Sequence, residues 1–312
     1  MKVPHQVEGS PFEQAFIQTS ILRIFVDVAE LLTETCCCKA IVGLAVGAPG
    51  IGKSASLLCY QELLARKEIP VKAISIRVSP CPTPSSLIGQ LSDALGEPIL
   101  AMRTASRLND IAAAARLQDL RLMMLDESDR LNDRCLDLLC SFLDMVRCNC
   151  LLVGLPSLLQ RCQKHEWLRS RVGMCVKFTP LSFEEVLYRV LPALTFPGWE
   201  FDPTREADCL LAELLWEGVS PSLRRLLIVL GNASTLAHMQ HEPRITDSYI
   251  QQALQLLPSP LDRVDASGGR VKRRDTDRRD RHSSRNPQRE LRREWPESTP
   301  AREVRTPDLL RS

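Results

Sequence analysis

Long apolar runs are missing from this 312-residue chain. The first residues, MKVPHQVEGSPFEQ, carry nothing like the apolar core of a secretory leader, and no later run approaches the roughly 20 residues that a bilayer span needs. A cytoplasmic protein with no membrane association is expected. Zinc-type spacing is missing too, because the twelve cysteines include no C-x-x-C pair and no Cys/His quartet. Most lie in apolar segments, such as Cys140 in LDLLCSFL and Cys150 in CNCLLVGL, where a reduced thiol packs as a small hydrophobe. The CCC run at 36–38 has no assigned role. Charge of one sign does not dominate either: the formal net charge is +2. Its distribution is uneven, since 15 Lys/Arg against 10 Asp/Glu from Pro260 onward give the end of the chain about +5 and leave about −3 for the rest.

What is present is an alternation of short β-rich runs and helical segments. Residues 12–34 show Phe12, Phe16, Ile21, Ile24, Phe25, Val28 and Leu31 at three-to-four spacing, a helical lead-in. Strands are expected at 41–46, 71–78, 120–127, 150–155 and 174–178, with helices at 53–67, 85–95, 104–117 and 133–146 between them. Such alternation predicts a parallel five-stranded α/β sheet covered by helices on both faces, with functional loops at the carboxyl ends of the strands. From Ser182 to Leu257 only helical patterns occur, in FEEVLYRVLPAL, EADCLLAELLWE, SPSLRRLLIVLGNAS and TDSYIQQALQLL, which reads as a small all-helical lid. After it, GGRVKRRDTDRRDRHSSRNPQRELRREW has too few apolar residues to offset the entropy of ordering and reads as a disordered Arg-rich tail. The expected divisions are a lead-in at 1–38, an α/β nucleotide-binding domain at 39–181, a lid at 182–258 and a tail at 259–312.

Two motifs carry chemistry. GAPGIGKS, residues Gly47, Ala48, Pro49, Gly50, Ile51, Gly52, Lys53 and Ser54, matches the phosphate-loop pattern between an expected strand and an expected helix, with Ala55 opening the helix. Its glycines let successive N–H groups face the phosphates of ATP, Lys53 brings a mobile charge to them, and Ser54 offers a hydroxyl to Mg2+. LMMLDE then places Asp126 and Glu127 at the end of a buried strand, 73 residues after Ser54. Asp126 is suited to the metal, and Glu127 to polarising the water that attacks the γ-phosphate. The extra strand at 71–78 between the motifs points to the additional-strand class of P-loop proteins, which includes the AAA+ proteins. No guanine-reading N-K-x-D follows, so ATP is favoured over GTP.

In GLAVGAPGIGKSASL, IPVKAISIRVSPCPTPSSLIGQLSDALG, LMMLDESDRL, CLLVGLPSLLQR and EWLRSRVGMCVKFTPLS the chain resembles the TniB/TnsC/Mu B family of AAA+ transposition ATPases, over about residues 20–255. The resemblance implies an ATPase that assembles as a homo-oligomeric ring or filament on double-stranded DNA, marks the insertion target and recruits and activates a transposase, with a TniQ-like targeting protein as a further partner. It also implies that Arg171 in LRSRVG reaches a neighbouring subunit's γ-phosphate, with Arg169 as a near competitor. DNA contacts carry over to Ser85 in TPSS and to Arg103 and Thr104 in MRTAS, with Arg107 nearby; Ser85 and Thr104 are equally good N-cap residues. Two departures stand out. Leu155 replaces the polar sensor usual at the end of the fourth strand, leaving Ser157 as the nearest hydroxyl. The lid arginine that senses γ-phosphate aligns with Ser222 rather than Arg224, and Ser220–Pro221 reads as the N-cap and first residue of that helix. Slow hydrolysis, stimulated by DNA or partners, is the expectation. The rivals are a helicase-loader or replication-initiation AAA+ ATPase and a STAND-type signalling switch.

Overall fold

A computed structural model describes residues 17–35, 39–67, 71–97, 104–219 and 222–257. Phe12, Phe16, the CCC run, Arg103, Ser220, Pro221 and the Arg-rich tail lie outside the described residues. Five strands, β1 (Val42–Gly47), β2 (Ala73–Arg77), β3 (Leu122–Asp126), β4 (Asn149–Gly154) and β5 (Val172–Phe178), form one parallel sheet in the order β2-β3-β4-β1-β5. The strand that separates β1 from β3 in the sheet is therefore β4. Strand β2, the extra strand in sequence between the two motifs, lies at the edge.

Side chains alternate across the sheet as strand geometry requires. Val42, Leu44, Ile74, Ile76, Met123, Leu125, Cys150 and Leu152 share one core with α3 (Pro84–Leu95), α4 (Thr104–Leu117), α5 (Asp133–Val146) and α6 (Pro156–Lys164). Ala45, Leu122, Met124, Leu151, Val153, Val176 and Phe178 share the other with α1 (Ser20–Glu34) and α2 (Lys53–Ala65). Between the last two helices the buried Tyr60 hydroxyl and Thr33 Oγ1 lie 2.7 Å apart. Six of the described cysteines, Cys59, Cys135, Cys140, Cys148, Cys150 and Cys162, are buried, whereas Cys81 and Cys175 are exposed; burial pushes the Cys148 thiol up to about 12 and those of Cys140 and Cys162 to about 11.

Two helix starts differ from the sequence reading, and that of α4 agrees with it. Helix α3 is capped by Thr83, which forms a reciprocal capping box with Ser86, and Pro84 takes the first helical position. Ser85 is thus an exposed residue of the first turn and not the cap. Thr104 is the first residue of α4. In the helical region, α10 (Leu223–Met239) is capped by Ser222, whose side chain accepts from Arg225 N, so the helix starts two residues later than Ser220–Pro221 suggests.

FEEVLYRVLPAL is not one α-helix. It runs as a short α-turn, α8 (Phe183–Glu185), a π turn (Val186–Val190) and a 3-10 turn (Leu191–Ala193) after a brief helix α7 (Glu166–Arg169) and strand β5. Pro192 has no N–H to give to the helical ladder, and the Leu191 carbonyl accepts both from Leu194 N at 3.4 Å and from Trp199 Nε1 at 3.0 Å. These turns pack with α9 (Glu206–Val219), α10 and α11 (Asp247–Gln255) around Val190, Leu215, Val229 and Ile250. The lead-in helix belongs to both regions, because Ile21 touches the helical core as well as the sheet core and Ser20 N donates to Glu185 Oε1 at 2.8 Å.

Candidate nucleotide site

The turn between β1 and α2 is the GAPGIGKS segment, and in a parallel sheet it leaves on the same side as the ends of β3 and β4. Gly50 lies at φ 75°, in the left-handed region, and a Cβ there would meet Arg224 Cβ and Ser222 Oγ at 2.9 Å. Arg224 N also donates to the Gly50 carbonyl at 3.1 Å. The first turn of α10 is therefore laid directly on the phosphate loop, and both Ser222 and Arg224 reach it.

Lys53 is the first residue of α2 and only 9% exposed, with Nζ donating to the carbonyls of Gly47 and Ala48 at 2.8 Å each. Burial draws its pKa down, the charges of Asp126 and Asp129 oppose this, and Arg224 adds to the lowering. Gly52, the N-cap, has no side chain to occupy the first-turn amides, so these remain for an anion. Ala48, Pro49, Ser54 and Ala55 are exposed around this opening, while Ile51 is anchored in the core.

Asp126 closes β3, its Oδ1 accepting from Glu127 N at 2.8 Å. Glu127 then takes a left-handed conformation, φ 57° and ψ 33°, and starts a 3-10 turn, Ser128–Arg130. Register sets what this carboxylate meets: Arg77 at the end of β2 is paired with Asp126, and Arg77 Nε donates to Glu127 Oε1 at 2.9 Å while Nη2 bonds the same oxygen. Arg130 forms an ion pair with Oε2. Burial would raise the Glu127 pKa, but the hydrogen bond from Arg77 and the charges of both arginines outweigh it and hold the carboxyl below its ordinary value. Sequence spacing gave no sign of these two arginines.

Strand β4 ends on Gly154, beside Val46 in the register, and Leu155 N donates to Asp129 Oδ1 at 2.9 Å. Ser157 is exposed in the first turn of α6. Arg171 precedes β5, whose Val172 pairs with Val42 at the amino end of β1. It therefore sits at the opposite end of the sheet from its own phosphate loop, roughly 15–20 Å away along six residues of strand. Its Nη2 donates to Asp144 Oδ2 of α5 at 2.7 Å, whereas Arg169 is exposed. Elsewhere, Ser85 and Arg107 come together, Arg107 Nη1 donating to Ser85 Oγ at 3.2 Å; the Thr104 side chain is outside the described residues.

A small apolar cleft adjoins the phosphate loop, lined by Leu181, Val186, Trp216, Ser222, Leu223 and Leu226. Among the described residues no group of three or more His, Cys, Asp or Glu is preassembled for a metal. No helix among the described residues is long and apolar enough to cross a membrane.

Residues 39–162 match a family described as AAA domain. No match was found among curated proteins. Among solved structures, the ORC2 protein of Aeropyrum pernix in ADPNP–ADP complexes has a TM-score of 0.62 at 17% identity, covering 80% of this chain and 71% of that one. The A. pernix ORC1 protein in complex with DNA has a TM-score of 0.58 at 20% identity, covering 75% and 63%. Domain III of the Thermotoga maritima replication initiation protein DnaA has a TM-score of 0.53 at 14% identity, covering 80% and 98%. The fold is that of a P-loop AAA+ protein.

Proposed function

We propose that this chain is a AAA+ ATPase that works on DNA, its nucleotide acting as the switch of a homo-oligomeric assembly. The observation that carries this reading is the Lys53 cradle at the junction of β1 and α2, facing Asp126 and covered by the first turn of α10. In it, the amides of residues 47–55 and Lys53 bind the phosphates, Ser54 and Asp126 would hold Mg2+, and the cleft by Leu181 and Leu223 takes the base. Mg2+, when bound, supplies charge neutralisation at the phosphates. Glu127 polarises the attacking water once it leaves Arg77 and Arg130. Arg171 cannot reach its own loop and serves a neighbouring subunit after exchanging Asp144 for phosphate.

Ser85, Arg103 and Thr104, with Arg107, are the proposed DNA contacts; of these Arg107 and Ser85 are joined by a hydrogen bond, and contacts to phosphates give affinity without sequence readout. The helical region at 182–258 is read as the lid, and the Arg-rich stretch at 259–312, outside the described residues, contributes 15 Lys/Arg against 10 Asp/Glu from Pro260 onward. Between functional classes, the solved relatives are named as ORC and DnaA proteins, which supports a replication-initiation or helicase-loading role over transposition. The transposition reading, with a transposase and a TniQ-like protein as partners, rests on the sequence stretches that resemble TniB and TnsC. Duplex DNA added to a hydrolysis assay tests the shared claim: turnover rises if the reading holds and stays flat if it does not. Pull-down against a replicative helicase and against a transposase then separates the two classes.

The grip on Glu127 gives a further expectation. Arg77 is 75% exposed, so Arg77→Ala removes one restraint without disturbing the core. Basal turnover should rise about two- to fivefold, the modest effect expected on releasing one exposed ion pair. Steady-state hydrolysis without DNA checks it, and an unchanged or lower rate contradicts the restraint.

A further inference from the structure

The end of β4 is bare of polar side chains, yet a carboxylate stands there. Asp129 belongs to the 3-10 turn after β3, and its Oδ1 accepts from Leu155 N at 2.9 Å. The approach is close enough to specify the neighbouring residue: a Cβ on Gly154 would meet Asp129 Oδ1 at 2.7 Å and Asp129 N at 3.0 Å. Gly154 is paired with Val46, next to the first residue of the phosphate loop. The turn is fixed from beneath, because Ser128 is fully buried and its Oγ donates to the Leu125 carbonyl at 2.8 Å. The charge of Asp129 acts on Lys53 alongside that of Asp126, whereas Glu127 faces Arg77 and Arg130.

We infer that Asp129 is a positioning residue of the nucleotide site, locking the end of β4 beside the phosphate loop through one carboxylate oxygen and keeping a negative charge at that junction. It supplies from the β3 turn the polar group that β4, ending in Gly154–Leu155, does not bring. Two tasks are separable by chemistry. The hydrogen bond to Leu155 needs only an acceptor, which an amide oxygen retains. The second task needs the negative charge, which an amide lacks.

This inference rests on the ATPase reading, and its test separates the two. Asp129→Asn and Asp129→Ala are compared with the wild-type full chain for melting temperature, affinity for a fluorescent ATP analogue, and kcat and KM for ATP. For Asp129→Asn the expected result is a wild-type melting temperature, affinity and KM within about threefold, and kcat lower by about tenfold or more. Asp129→Ala loses melting temperature as well, because Leu155 N is then left without its acceptor. A kcat for Asp129→Asn equal to wild type overturns the inference. So does a fall in its melting temperature as large as that of Asp129→Ala, which would make the residue architectural only. If the wild-type chain binds the analogue but hydrolyses no ATP with or without DNA, it is the ATPase reading that fails.

Discussion

Glu127→Gln should lower ATP turnover by about a hundredfold or more while leaving ATP affinity within a fewfold of wild type, the usual size of a lost general base. Glutamine matches glutamate in length and keeps an oxygen that can accept from Arg77 Nε, so the 3-10 turn at 128–130 and the Asp126–Glu127 backbone bond are retained. What disappears is the charge that can polarise water. The expected profile is a protein that binds ATP, assembles and fails to reset. Single-turnover hydrolysis together with equilibrium binding checks it, and a turnover within about threefold of wild type would remove Glu127 from the chemistry.

Lys53→Ala should act one step earlier, on binding. The Lys53 ammonium bridges two loop carbonyls from a buried position, so alanine removes the cation at the base of the cradle and leaves those carbonyls without that donor. Charge-assisted bonds of this kind are worth about 1.5–3 kcal/mol each, so triphosphate affinity falls by about ten- to a hundredfold and turnover drops accordingly. Titration of a fluorescent nucleotide reads this directly. Affinity within about twofold of wild type would mean that Lys53 stays on Gly47 and Ala48 when nucleotide binds.

The parts of the site that were legible in the sequence are those whose partners are close in the chain. GAPGIGKS carries its own geometry, since strand, left-handed glycines and helix start are written within a dozen residues. The strands were readable because each has an apolar run bounded by helical segments, and no boundary moved by more than two residues. Helix starts were less secure: Ser85 and Ser220 are plausible caps by residue type, but Pro84 fixes the first turn of α3, and the bond from Arg224 N to Gly50 sets where α10 begins. The first lies within TPSS itself, in the capping box of Thr83 with Ser86, whereas the second depends on a contact far away in the chain.

What stayed hidden depends on register and strand order. Arg77 lies 50 residues from Glu127 and meets it only because β2 and β3 are adjacent in the register that pairs Arg77 with Asp126. The Asp129–Leu155 bond requires β4 to lie next to β3, an order that no sequence pattern specifies. Likewise, Arg171 is at the wrong end of the sheet for its own nucleotide because β5 runs parallel to β1, which turns a family resemblance into a geometric argument for action between subunits. The unbroken helix expected over 183–194 failed because Pro192 and the Trp199 side chain redirect the backbone.

The central claim is that nucleotide governs assembly on DNA, and electron microscopy of the purified full chain with duplex DNA tests it most directly. With a non-hydrolysable ATP analogue the account predicts DNA-bound rings or filaments, which are lost with ADP and never form with Lys53→Ala. Particles of the same size and DNA occupancy in all three conditions would contradict it.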